Sequence, residues 1–142
     1  MGDNGLTEAQ KRILAYKEDN LTTGNEILAI LSKADPDKPF EYPVEVKQRI
    51  RRINNNLSSI ASLAGGRRTR NIMKALEMLE RIFEDLQRMA GNDLNGQKQV
   101  IEYWLKYVDK VAVQFDDKGR PIDLGIEFDP ATLKSKFHIS LK

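Results

Sequence analysis

Two stretches of the chain carry apolar side chains at alternating intervals of four and three residues. The first set is Val46, Ile50, Ile53, Leu57, Ile60 and Ala64, and the second is Ile72, Leu76, Leu79, Phe83, Leu86 and Ala90. This spacing places each set along one side of an α-helix. Because the pair Gly65-Gly66 lies between the two sets, we predict an antiparallel helical hairpin over residues 43–90. Two helices of a mixed bundle that do not pack on each other are the alternative.

Residues 1–40 predict two short helices followed by a loop. Thr7 and Gln10 have the spacing of a capping box, which starts a helix that runs to residue 19. A second helix is predicted from Thr23, because Glu26 again follows three residues later. The prolines within residues 35–39 cannot continue a helix, so this segment is predicted to be a loop.

The C-terminal part of the chain changes from a helical period to an alternating one. Gly91 is expected to end the fourth helix, and a fifth is predicted over residues 92–109, with Trp104 on its buried face. Apolar and polar residues then alternate on both sides of the turn sequence 116–119, which predicts a β-hairpin. A short third strand would contain Phe137, Ile139 and Leu141, so that residues 110–142 form the β part. The predicted fold is a single domain, residues 1–142, that is mainly α: a helical bundle built on the hairpin, with a small C-terminal β-hairpin (α+β at the margin).

Composition excludes several kinds of site. The 142 residues include no cysteine and only one histidine, His138, so neither a thiolate site nor a site with two imidazoles can form. Acidic residues surround the predicted hairpin turn, but their spacing does not match a calcium-binding loop. No apolar run approaches the length of a membrane span, and the N-terminus lacks the pattern of a signal peptide. We therefore expect a non-enzymatic protein without a cofactor or metal, in the cytoplasm of a prokaryotic or phage-infected cell.

Charge is distributed unevenly along the chain. Between Val46 and Leu76 there is no aspartate or glutamate, although the chain contains 21 acidic residues in all. The same stretch carries eight of the 23 basic residues. A basic segment within an otherwise acidic chain indicates an anionic partner.

Two groups of residues in this segment are candidates for binding a phosphate backbone. On the third helix, Arg52, Asn55 and Ser59 share a polar stripe that a phosphate could approach. At the start of the fourth helix, basic side chains add to the positive end of the helix dipole. The predicted nucleic-acid-binding residues are Arg49, Arg51, Arg52, Asn55, Ser59, Arg67, Arg68, Arg70 and Lys74. The expected partner is RNA or DNA, bound with little sequence preference, because no aromatic residue lies within this segment.

Two alternatives apply to the same residues. Arg51 and Arg52 would be neutralised if they paired with acidic residues on the neighbouring helix, namely Glu77, Glu80, Glu84 or Asp85. The small polar side chains would equally allow another protein to dock on this acid-free face. A protein–protein assembly module, such as a phage structural subunit or an inhibitor of a host protein, is therefore the alternative function. In either case we expect an oligomer or a subunit of a larger complex.

Residues 51–61, RRINNNLSSIA, resemble the asparagine-rich helix of plasmid mobilisation accessory proteins. The chain lacks the N-terminal ribbon strand of that family. In size and helical character the chain is also similar to the small helical subunits of CRISPR effector complexes. Both resemblances imply a non-catalytic subunit that contacts nucleic acid within a larger nucleoprotein complex.

Overall fold

The fold is known from a computed structural model that describes residues 5–63 and 66–126. Four helices account for most of these residues, so the prediction of a mainly helical protein is confirmed. In chain order they are α1 (Glu8–Ser32), α2 (Val44–Ser62), α3 (Gly66–Ala90) and α4 (Leu94–Asp109). Two short strands follow, β1 (Val111–Phe115) and β2 (Pro121–Ile126).

The prediction of two short N-terminal helices is wrong, because α1 is continuous over 25 residues. The capping box of Thr7 and Gln10 does start this helix. Thr23, the expected start of the second helix, is instead buried within α1, and so is Asn20. At Gly24 a Cβ atom would lie 2.9 Å from Leu105, so the missing side chain lets α4 approach α1 closely. The described part of the chain therefore has four helices where five were expected.

One hydrophobic core joins all four helices and the first strand. In the two predicted apolar sets, every side chain that the structure describes is buried, except that of Ile50, which is partly buried. Ile13, Ile27 and Leu31 of α1 and Trp104 of α4 complete the centre of the core. The Trp104 ring stacks on Phe83 of α3 with 4.5 Å between the ring centroids. The helical periodicity thus indicates correctly which side of α2 and α3 faces inward.

The two strands pair in antiparallel register, with Val113 opposite Leu124 and a bulge next to Phe115. Asp116 shapes the turn between them, because its Oδ1 accepts hydrogen bonds from the backbone N–H groups of Lys118 and Arg120. Gly119, with a φ of +74°, accepts a hydrogen bond from the Thr7 hydroxyl through its carbonyl oxygen. The turn is thereby anchored to the start of α1.

Several sequence predictions lie outside the described residues. They concern the contribution of Ala64 and Gly65 to the interhelical turn, and everything from residue 127 onward, including the third strand and His138. The side chains of Arg67, Arg68 and Ile72 are also outside the description, although their backbone belongs to α3.

Candidate nucleic-acid interface

The side of α2 that faces α1 holds Arg52 in a double ion pair. Its Nε and Nη2 atoms donate to the two carboxylate oxygens of Asp19, at 2.8 and 2.6 Å. The Asn56 amide donates to Asp19 at 2.7 Å and to the buried Asn20 at 2.8 Å. The hydrogen bond from Arg52, assisted by that from Asn56, holds the pKa of Asp19 below its ordinary value. The acid that neutralises Arg52 therefore lies on α1, and not on α3 as the alternative interpretation of the sequence assumed.

Two more of the predicted site residues also face α1. Arg49 lies 3.6 Å from Glu26 and donates a hydrogen bond to its own helix at the Glu45 carbonyl. Ser59 hydrogen-bonds the Tyr16 hydroxyl, and together with a stronger hydrogen bond from Arg12 this lowers the pKa of Tyr16. Arg49, Arg52 and Ser59 thus serve the α1–α2 interface, and the predicted stripe does not form one uniform phosphate-binding surface.

The other side of α2 borders a groove against α3, here called the α2–α3 groove. It is lined by Lys47, Ile50, Arg51, Asn54, Asn55 and Ser58 of α2 and by Glu80, Glu84 and Gln87 of α3. Lys47, Ile50 and Arg51 line the groove together with Glu80, Glu84 and Gln87, whereas Asn54, Asn55 and Ser58 line it only where Glu80 does. Among the described residues, no carboxylate forms an ion pair with Lys47 or Arg51, and both side chains are exposed.

The exposed side of α3 continues this surface. Arg70 and Arg88 are 18 residues apart, which is five full helical turns, so they lie on the same side of the helix. Lys74 and Arg81 fall close to the line that joins them. Arg88 also lines the groove, where it pairs with Asp85 of its own helix. We define the α2–α3 face by its six exposed cations, Lys47, Arg51, Arg70, Lys74, Arg81 and Arg88.

Acidic residues occupy only one end of the α2–α3 face. The exposed carboxylates Glu77, Glu80 and Glu84 all belong to the C-terminal two-thirds of α3. The start of α3, with Arg70 and Lys74, therefore combines exposed cations with the positive end of the helix dipole. The face changes from purely basic at one end to mixed charge at the other.

Tyr42 and Gln97 close the mixed end of the groove. Neither residue is among the binding residues predicted from the sequence. Tyr42 donates its hydroxyl hydrogen to Gln97, and Gln97 donates to the carbonyl oxygens of Gln87 and Gly91 at 2.9 and 2.6 Å. Burial raises the pKa of Tyr42 to about 12, so the hydroxyl remains a donor at neutral pH. The only sequence signal for this position is an aromatic residue directly before Pro43, which restricts its backbone to an extended form.

The described part of the chain has neither a cluster of potential metal ligands nor a membrane-spanning helix. Among the side chains that the structure describes, there is no group of three or more potential metal ligands. Asp116, one of the acids near the hairpin turn, is engaged by backbone N–H groups and by Arg120, which lowers its pKa. Of the helices described, none is both long and apolar enough to cross a bilayer.

Comparisons with known proteins do not place the chain in a family. A scan against protein-family models, a search of curated proteins and a search of solved structures each found no match.

Proposed function

We propose that the protein is a non-catalytic subunit that binds the phosphate backbone of a nucleic acid across the α2–α3 face, within a larger nucleoprotein assembly. The antiparallel pairing of α2 and α3 as one helical hairpin is part of this proposal. Its phosphate ligands include Lys47, Arg51, Arg70 and Lys74, and Asn55 is a neutral hydrogen-bonding group beside them. Arg67 and Arg68 belong to the proposed site on the strength of their position at the start of α3.

The observation that carries the proposal is the contrast in pairing across α2. On the side that faces α1, Arg49 and Arg52 have carboxylate partners. On the side that faces α3, Lys47 and Arg51 are exposed and form no ion pair within the described part of the chain. Exposed cations without ion-pair partners are available to bind phosphates. A row of such cations is best suited to the regularly spaced charges of a phosphate backbone.

The size of the face explains why an assembly belongs to the proposal. Arg70 and Arg88 are about 27 Å apart along α3, which allows about four phosphate contacts. So few contacts give weak binding at physiological salt. Several copies along one strand, or other subunits beside this one, would raise the overall affinity by multivalency.

The experiment is a salt titration of binding to fluorescently labelled single- and double-stranded DNA and RNA, followed by anisotropy. With about four contacts, the slope of log affinity against log salt is expected to be roughly −3 to −4. Replacing Arg67, Arg68 and Arg70 together by glutamine should flatten the slope by about two to three, and leave the melting temperature nearly unchanged. Equal binding by the wild type and this variant would contradict the proposal.

A partner protein that docks on the same face is the second candidate function. The observation that favours it is the mixed end of the groove, where Glu80 and Glu84 face Lys47 and Arg51. Neighbouring charges of both signs suit a protein surface better than a uniform polyanion. A protein captured from the native source equally well with and without nuclease treatment would support this candidate over the first.

A further inference from the structure

The mixed end of the α2–α3 groove has the composition of a small binding pocket, which we call the Tyr42 pocket. Its lining includes Tyr42, Lys47, Ile50, Arg51, Glu84 and Gln87. The pocket has a volume of about 610 Å³, within the usual range for sites that hold small organic groups. It combines an aromatic ring and an aliphatic side chain with polar groups at its edge.

Most polar groups around the pocket already have partners, and this leaves Glu84 as a distinctive one. Gln97 uses both amide hydrogens on backbone carbonyls, and its oxygen accepts the Tyr42 hydroxyl. Burial raises the pKa of Tyr42, and the side chain of Gln87 opposes this rise only in part. Glu84 is exposed and, among the described residues, has neither an ion pair nor a hydrogen bond. Its ionised carboxylate can only accept hydrogen bonds, so it selects a ligand that offers a donor.

The two sides of the pocket differ in charge. Lys47 and Arg51 of α2 can hold phosphates. On the α3 side, Arg88 also lines the pocket, but its ion pair with Asp85 offsets its charge, and the carboxylate of Glu84 repels phosphates. A strand lying in the groove would therefore turn its phosphates toward α2 and its bases toward α3. The carboxylate would also repel the second phosphate backbone of a duplex, so the arrangement suits a single strand.

On the basis of the proposed function, we propose that the Tyr42 pocket receives an unpaired nucleobase with an exocyclic amine, which donates to Glu84 while the adjoining phosphates lie on Lys47 and Arg51. Cytosine meets this requirement through its N4 amine, whereas thymine and uracil present a carbonyl oxygen at the same place. Tyr42 and Ile50 provide the contact for the base. Binding is thus selective for single strands and for amine-bearing bases.

The test uses single-stranded oligonucleotides of about ten nucleotides, close to the site size of other single-strand binders. Oligo-cytosine, oligo-thymine (oligo-uracil for RNA) and an abasic strand with the same number of phosphates are compared by anisotropy at one salt concentration. We expect cytosine to bind about tenfold more tightly than the abasic strand and several-fold more tightly than thymine or uracil.

Two matched variants separate the base contact from general electrostatics. Glu84→Gln and Glu77→Gln each remove one exposed negative charge from α3, but Glu77 lies two turns away and does not line the pocket. Both should strengthen binding of all three strands to a similar extent. Only Glu84→Gln should reduce the preference for cytosine, because a glutamine amide can also donate to a carbonyl oxygen.

The outcomes distinguish this inference from the proposed function. Equal binding of all three strands by the wild type would overturn the base pocket and leave backbone binding intact. A preference for cytosine that survives in Glu84→Gln would also overturn it. If no strand binds even at low salt, the proposed function fails and the pocket assignment fails with it.

Discussion

Arg51 and Arg52 are neighbours in the sequence but have different roles in the structure. Arg52 points to α1, where both carboxylate oxygens of Asp19 accept its hydrogen bonds. Arg51 borders the α2–α3 groove and has no carboxylate partner among the described residues. The same division separates Asn56, which bonds to Asp19 and Asn20, from Asn55, which is exposed. One side of α2 holds the fold together and the other is available to a ligand.

This comparison shows that a count of basic residues is not a count of available charges. An arginine in a bidentate pair adds little to the field that a distant phosphate meets, because its carboxylate partner cancels it. An arginine on the same helix that is not bonded to a carboxylate keeps its N–H donors available for a phosphate.

Two tyrosines, one beside each side of α2, should ionise at different pH values in an alkaline titration. Tyr16, beside α2 on the α1 side, has a lowered pKa, while burial raises the pKa of Tyr42 to about 12. In the unfolded chain Tyr42 ionises near its ordinary pKa of 10, whereas in the folded protein it stays neutral up to about pH 12. The folded state therefore keeps its full stability from this group below pH 10 and loses it as the pH rises through 12. We expect about 2–3 kcal/mol of unfolding free energy to disappear over this range. Site-resolved NMR of the tyrosine rings should show Tyr16 ionising first, and simultaneous ionisation would contradict this account.

Neighbouring asparagines on α2 offer a matched comparison of stability. Asn56→Ala leaves the buried Asn20 without its hydrogen-bond donor, so we expect a loss of about 1–3 kcal/mol in unfolding free energy. Asn55→Ala changes an exposed side chain and should cost less than about 0.5 kcal/mol. Urea unfolding of the two variants measures the difference. Equal losses would show that the two sides of α2 are not distinguished by their packing.

Breaking the ion pair between Arg52 and Asp19 should make Arg52 available to a phosphate, as Arg51 is on the other side of α2. In Asp19→Asn, Arg52 keeps its charge but loses the carboxylate that neutralises it. We expect nucleic-acid affinity to rise a few-fold and the salt slope to steepen by up to about one. The melting temperature should fall by only about 1–3 °C, because exposed ion pairs contribute little to stability. Unchanged affinity would place Arg52 outside the reach of the ligand.

The sequence predicted the inward sides of α2, α3 and α4 because helical periodicity is a local property. It did not predict the partner of Arg52, since Asp19 lies 33 residues earlier in the chain. The apparent break near Thr23 concealed the continuous α1, and with it the helix that packs against α2. Tyr42 was missed for a similar reason. Its position at the groove depends on a hydrogen bond to a glutamine 55 residues away, which no local pattern reveals.

The most direct test of the central claim compares two double variants in the salt titration. Lys47→Gln with Arg51→Gln removes the two unpaired cations of α2, whereas Arg49→Gln with Arg52→Gln removes the two that face α1. Each variant loses the same formal charge from the same helix. The account predicts that the first flattens the salt slope by about two and the second by less than about one. Equal flattening by both variants, or a larger effect of the second, would contradict it.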